Sequence, residues 1–199
     1  MDPNASVRFF DAQFQRQIAA QECELNPFEA AALPHLRGAV LDYGCGLGNL
    51  ALAAARQGCS VTALDGSHAA IEHLREAARR EALPIQAAEA DLRTHAIDGE
   101  FDAVVCIGLL MFFDCPTALR QLAQLQAAVR PGGTAVVNLL IEGTTYLDMF
   151  APEGHCLFGP DELRERFADW ECASFDRQTF AAPGETVKVF ATIIARRPA

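Results

Sequence analysis

The 199-residue sequence predicts an α/β fold, a mostly parallel seven-stranded sheet with helices on both faces and an antiparallel hairpin at its end. Three observations lead there. From residue 39 onward short apolar runs alternate with segments whose apolar residues recur every three or four positions, the signature of strands and helices following one another. The first apolar run passes into a helix through three glycines, Gly44, Gly46 and Gly48. The last two runs are joined by Ala182-Pro183-Gly184-Glu185, a hairpin turn by composition.

Taken in order, residues 1–38 carry Arg8, Phe9, Phe10, Asp11 and Phe14 in a helical pattern, and then Asn26-Pro27-Phe28, which reads as a helix start. This segment is expected to form an amino-terminal helical lid over residues 39–199, the two making one globular unit. Strands are expected at 39–43, 60–64, 85–88, 103–107, 134–141, 171–180 and 186–195. Helices are expected at 47–57, 68–82, 116–129 and 161–167. In an open α/β sheet, ligands sit beyond the carboxyl ends of the strands, where a helix from the amino-terminal segment can close the crevice.

Composition narrows the function. Half of the residues are hydrophobic and a fifth are charged, as in one globular domain with a full core. The net charge is −10, and Lys188 is the only lysine. Such a surface repels a phosphate backbone, so nucleic acid is not expected as a partner. The arginines of 75–80 and 164–166 fall on glutamate-rich helical segments and read as solvated faces, as do Arg196 and Arg197. No apolar stretch reaches eighteen residues and the amino terminus lacks a basic region followed by an apolar one. A cytoplasmic protein without a membrane partner is therefore expected, as monomer or homodimer, acting on a small-molecule substrate. Seven cysteines, at 23, 45, 59, 106, 115, 156 and 172 with no C-x-x-C pair, point to reduced thiols. His68 and His73 stand five apart on a charged helix, the wrong spacing for one face, and no metal site is expected.

The most informative run is Val40-Leu41-Asp42-Tyr43-Gly44-Cys45-Gly46-Leu47-Gly48-Asn49. Glycine permits positive φ and close approach of a ligand to the main chain, and the following helix points free amides at that ligand. A dinucleotide fingerprint would be G-x-G-x-x-G. Here the glycines alternate, and Asn49 stands where the last glycine would fall, so the ligand is not expected to be a dinucleotide. A second strand ends in Asp65, about two dozen residues on, where one carboxylate can take two hydroxyls of a ribose. A nicotinamide-dependent reductase is the rival class, but Tyr43 and Tyr146 are the only tyrosines and no Tyr-x-x-x-Lys is present.

The D-x-G-x-G-x-G pattern resembles motif I of the class I S-adenosylmethionine-dependent methyltransferases. The resemblance implies a Rossmann-like sheet in the order 3-2-1-4-5-7-6, with S-adenosyl-L-methionine as cofactor and S-adenosyl-L-homocysteine as product. It also implies roles for particular residues. The turn of Gly44, Gly46, Gly48 and Asn49 would hold the methionine part, with Asp42 helping to bind its ammonium. Asp65 and Gly66 would take the ribose, and Ala90-Asp91-Leu92 the adenine. Cys106, Ile107 and Gly108 would bring the fourth strand into the pocket, and Arg130-Pro131-Gly132-Gly133 would be the turn before the fifth strand.

Further stretches, among them Gly108-Leu109-Leu110-Met111-Phe112-Phe113 and Phe158-Gly159-Pro160-Asp161-Glu162-Leu163, resemble the tellurite-resistance methyltransferase group. That likeness implies methyl transfer to a small acceptor such as a tellurite or selenite oxyanion. The alternatives are another small nucleophile such as a thiol, or a non-catalytic cofactor-binding protein. The sequence departs from the group at one place: it lacks the His-Arg pair ahead of the last strand and offers only Arg177 there. For an anionic acceptor the candidate residues are His155, Arg177 and Arg8, with Thr145 and Tyr146 as neutral donors. The loop of 142–160 is long enough to serve as a substrate-binding segment. A sulfonium methyl is already activated, so positioning and exclusion of water suffice without a dedicated base.

Overall fold

A computed structural model describes residues 5–20, 24–150 and 154–199. Its strands are β1 (Ala39–Tyr43), β2 (Ser60–Asp65), β3 (Ile85–Glu89), β4 (Phe101–Ile107), β5 (Val129–Leu140), β6 (Glu171–Ala182) and β7 (Thr186–Arg196). They lie in the order β3-β2-β1-β4-β5-β7-β6, as expected. The first five run parallel to their neighbours, and β7 lies antiparallel between β5 and β6. The helices described are α1 (Ala5–Ala20), α2 (Pro27–Ala32), α3 (Asn49–Arg56), α4 (His68–Arg80), α5 (Cys115–Ala127) and the short α6 (Glu162–Glu165). Among the described residues no helix is long and apolar enough to cross a membrane.

Side-chain alternation along the strands divides the core into two layers. Leu41, Tyr43, Val104 and Cys106 face the side of α5, where Ala118, Leu122 and Leu125 complete the layer. Val40, Val61, Ala63 and Val105 face the other side, against Leu50 and Ala54 of α3 and Ile71, Leu74 and Ala77 of α4. Parallel strands covered on both faces read as unbroken apolar runs, and β1 and β4 do. Parity then has a consequence for Asp42. It points to the same side as Val40, toward the helices that follow the glycine turn.

Local chemistry starts each helix. Asn26 caps α2, its Oδ1 accepting from the amides of Phe28 (2.9 Å) and Glu29 (3.0 Å), while Glu29 Oε2 accepts the Asn26 amide at 2.8 Å. This reciprocal capping box, with Pro27 in the first turn, is the helix start expected from the sequence. Ser67 caps α4 through the Ala70 amide, and Asp114 caps α5 through the Thr117 amide. α3 differs, because Gly48 stands at its cap in the left-handed conformation and no side chain occupies its free amides.

Three expectations are corrected. Arg130-Pro131-Gly132-Gly133 is not a turn ahead of β5 but a bulge within it: β4 pairs Phe101 with Val129 and then Ala103 with Thr134, so the intervening residues loop out of register. The backbones of Gly132 and Gly133 bond Arg197 instead, and the Arg196 and Arg197 side chains donate to carbonyls of this bulge and of the adjoining end of α5 rather than only to solvent. Not every thiol is reduced, because Cys115 at the start of α5 and Cys156 in the loop after β5 form a disulfide with Cα atoms 4.8 Å apart. Forty-one residues separate them in sequence, so only the fold brings them together. Cys45, Cys59, Cys106 and Cys172 are free, and Cys23 lies outside the described residues.

Gly38, which enters β1, is fixed by sterics. A Cβ there would lie 2.2 Å from Asp102 Oδ2, the atom that accepts the Ala39 amide at 2.7 Å. That amide bond, and after it the Arg130 guanidinium, holds the Asp102 carboxyl below its usual range. Gly48 is equally constrained, with φ +76° and Leu74 Cδ1 2.5 Å from the position a Cβ would take. Gly48→Ala is expected to cost about 2–4 kcal/mol through backbone strain and overpacking. The check is the midpoint of a urea unfolding curve, which should fall without a change in slope.

Candidate functional site

The glycine turn is held open by bonds to the next strand. The amides of Gly44 and Cys45 both donate to Leu64 O (2.8 and 3.0 Å), so β2 anchors the turn where β1 ends. The Gly46 amide reaches Asp65 Oδ2 at 2.9 Å, and the Ser67 amide reaches Asp65 Oδ1 at 2.8 Å. Asp65 is thus gripped by backbone on both oxygens. Burial pushes its carboxyl up, against the pull of these amides. Gly44 and Gly46 have no room for a side chain, since a Cβ would press on Leu109 at 3.0 Å and on Phe14 at 3.2 Å.

Asp42 is the chemical oddity of the crevice. It is buried, and its Oδ2 has no hydrogen-bond partner. Burial first, then the charges of Glu29 and Asp65, push its carboxyl up to about 8. An unpartnered carboxyl in such a place is costly, and two further acids beside it make it costlier. A cation entering the crevice would offset that cost at Asp42. Asn138 Oδ1, at the carboxyl end of β5, is likewise buried without a partner, its Nδ2 donating to Thr192 Oγ1 at 2.8 Å.

These groups line one continuous cavity of about 1670 Å³. That exceeds the 300–1,000 Å³ of a usual small-molecule pocket, which leaves room for two molecules side by side. One end is the glycine turn, Asp65 and the corner formed by Ala90, Asp91 and Leu92. Beneath that corner the buried Tyr43 hydroxyl donates to Leu92 O at 2.8 Å. Asp91 is held by Arg93, whose Nε lies 2.9 Å from Oδ1, and this contact lowers its carboxyl. The other end lies over β5 and β7, where Asn138, Leu140, Lys188 and Phe190 meet Phe28 and Glu29 of α2 and Tyr146 of the following loop.

A run of aromatic rings extends from the cavity wall, which Phe10, Phe14 and Phe112 line. Phe10 of α1 lies 5.8 Å from Phe14 and meets Phe112 edge-on at 4.9 Å. Phe112 lies 5.2 Å from Phe150, which stacks on His155 at 4.7 Å. Asp11 of α1 accepts a hydrogen bond from the Ser67 hydroxyl, joining α1 to the start of α4. Phe112, which follows β4, thus links α1 to the loop after β5.

Of the residues named from sequence, Asp42, Gly44, Gly46, Asn49, Asp65, Gly66, Ala90, Asp91, Leu92, Ile107 and Gly108 line this cavity, as does Tyr146. Gly48 lies beneath the turn against Leu74, and Cys106 is turned into the core layer of Tyr43. His155 stacks on Phe150 outside the cavity lining, beside Cys156, whose sulfur is taken by the disulfide. Arg177 is on β6, ion-paired with Asp161 and lying 5.5 Å from the Phe175 ring centroid, away from the cavity walls. Arg8 falls on α1, and its side chain is outside what is described. Sequence reasoning missed Glu29, Asn138 and Lys188. Asn138 did carry a signal, as the polar residue amid the apolar run of 135–140. No group of three or more His, Cys, Asp or Glu among the described residues is placed to hold a metal ion.

Comparison with known proteins adds an independent line. A family described as a methyltransferase domain matches residues 40–133. Hemagglutinin 1 of Eikenella corrodens is 30% identical over 165 residues, which cover 79% of this chain and 54% of that protein. The ubiquinone biosynthesis O-methyltransferase of Alkalilimnicola ehrlichii is 33% identical over 177 residues, covering 74% of this chain and 68% of that enzyme. The chain thus spans about half the length of the first relative and two thirds of the second. TehB of Haemophilus influenzae superimposes with a TM-score of 0.75 at 23% identity, over 87% of this chain and 62% of that one, a likeness of fold.

The raised carboxyl of Asp42 has a pH signature. Its folded value, about 8, lies above the ordinary 3.8, so the folded state keeps its proton longer than the unfolded chain. The stability this contributes is complete below the ordinary value and is lost as pH climbs from there to about 8. Asp42→Asn, which mimics the neutral form, should melt close to the native protein at low pH. Above pH 8 it should be the more stable by on the order of 1–3 kcal/mol, the usual cost of an unsatisfied buried polar group. Thermal melts of both proteins across this range test it, and parallel curves at all pH values would show that Asp42 titrates normally.

Proposed function

The chain belongs to the class I S-adenosylmethionine-dependent methyltransferases, and from that premise we propose that it transfers the methyl group of S-adenosylmethionine to a small-molecule acceptor. The observation that carries this reading is the buried, unpartnered Asp42 carboxyl with Asp65 and Glu29 beside it, at the mouth of a glycine turn no side chain could share. Those residues fit a cofactor that is cationic at one end and a nucleoside at the other.

Each residue then has a task. Asp42 receives the ammonium of the methionine part, and the amides at the start of α3, capped only by Gly48, face its carboxylate. Asp65 keeps its two backbone bonds and still accepts the ribose hydroxyls, since an ionised carboxylate offers about four lone-pair sites. Ala90, Asp91 and Leu92 border the adenine. When bound, S-adenosylmethionine supplies an electrophilic methyl on its sulfonium. α1, fastened through Asp11 and Ser67, acts as a lid, and the roof of Phe10, Phe14, Phe112 and Phe150 keeps water from that methyl.

Among acceptors, the sequence likeness to the tellurite-resistance group supports a tellurite or selenite oxyanion. Arg177 is committed to Asp161, so in this reading Lys188 supplies the charge for it. A thiol or another small organic nucleophile is the second reading, favoured by the apolar walls of Phe28, Leu140 and Phe190.

Calorimetry with S-adenosylhomocysteine tests the premise. We expect binding, weakened about tenfold or more in Asp65→Ala through loss of charge-assisted hydrogen bonds, with melting curves confirming that the variant is folded. Absence of binding by the native protein would sink the proposal. Incubation with methyl-labelled cofactor and tellurite, selenite, thiols or small amines, with capture of volatile product, identifies the acceptor. Binding without transfer to any acceptor would favour a cofactor-binding protein without turnover.

A further inference from the structure

Lys188 is the only lysine in a chain with 26 carboxylate residues, yet among the described residues no carboxylate lies within ion-pair distance of it. Its Nζ instead sits over the Tyr146 ring, 4.9 Å from the centroid, on the wall of the cavity. A cation–π contact of this kind neutralises no charge. In a protein of net charge −10, a half-buried ammonium has many acids it might have met, and here it faces open cavity.

The surroundings of Lys188 give the rest of the ligand a shape. Two residues along β7, Phe190 pairs in register with Leu140 of β5, and Phe28 of α2 closes over Phe190 with ring centroids 4.9 Å apart. Two residues further, Thr192 pairs with Asn138, whose Oδ1 is the unpartnered acceptor beside the cofactor end. At about 3.3 Å per residue, Lys188 and Thr192 stand roughly 13 Å apart along the strand. The wall therefore reads as cation, apolar stretch, hydrogen-bond acceptor, in that order toward the methyl donor. A bare oxyanion would meet the first of these alone.

We propose that the acceptor is an organic anion with an apolar body, its carboxylate or equivalent acidic group held by Lys188 over Tyr146 and its body lying between Phe28 and Phe190. This assignment rests on the methyl-transfer reading above and names its substrate class. The polarity of the wall fixes which end reacts. The anionic group is held away from the sulfonium, and the nucleophilic atom at the other end comes to the Asn138 side of the wall. Lys188 is a specificity-determining residue in this arrangement and takes no part in bond making.

The test uses full-length protein saturated with S-adenosylhomocysteine and three probes: 3-phenylpropionate, its neutral amide 3-phenylpropionamide, and sodium tellurite. Calorimetry should show the carboxylate binding about ten- to a hundredfold tighter than the amide, as expected for a hydrogen bond to a charged group. Lys188→Met should abolish that preference and Lys188→Arg should keep most of it. Equal affinity for carboxylate and amide overturns the proposal, as does a preference that survives in Lys188→Met. Binding of tellurite alone, dependent on Lys188, overturns the apolar half and returns the site to a simple oxyanion. Saturation with S-adenosylhomocysteine is measured first, so a failure there is a failure of the methyl-transfer reading and is distinguishable from a failure of the acceptor assignment.

Discussion

Burying an ionisable carboxyl without a counter-ion is the constraint around which this molecule is organised. Asp42 lies near the carboxyl end of β1 with the parity of the apolar residue Val40, so nothing in the core layer can satisfy it. Any neighbouring arginine or lysine would have filled the space and neutralised the charge. The chain does the reverse, bringing Asp65 and Glu29 close. The glycine turn, held by Leu64 O and closed by Asp65, borders an open cavity beside this carboxyl.

Much of the fold was legible because it rests on local patterns. β2 and β3 end in an acid and β1 carries one at its penultimate position, and the boundaries of all three follow the sequence closely. Asn26-Pro27-Phe28-Glu29 is a self-contained capping signal. The errors fall where distant pairing overrides local propensity. Arg130-Pro131-Gly132-Gly133 has the composition of a turn, but the end of β7 pairs with it and absorbs it into the sheet as a bulge. Cys115 and Cys156 likewise meet only because the loop after β5 folds back on α5.

The site divides along the same line. The half of the cavity around the glycine turn comes from contiguous motifs near strand ends, and those residues announce themselves by type and spacing. Its other half is assembled from single side chains on α2, β5, β7 and a loop, none of them part of a motif. Lys188 in isolation looks like surface solvation and Glu29 like a capping residue. Arg177, by contrast, has the right charge and nearly the right strand, but one strand further out it finds Asp161 and Phe175. Charge can be read from a sequence, but which sheet face and which neighbour it meets depend on register.

The loop after β5 is fastened at both ends. Near its start Thr144 and Thr145 are laced to the backbone of β7 at Val187 and Val189, and near its finish Cys156 is bonded covalently to the first turn of α5. A strap secured in this way cannot swing outward as a flap on a single hinge. On the opposite side α1 packs against α4, meets Phe112 through Phe10, and accepts the Ser67 hydroxyl at Asp11. The two sides of the chamber thus differ in kind, one a loop tied by hydrogen bonds and a disulfide, the other a helix packed on the next helix.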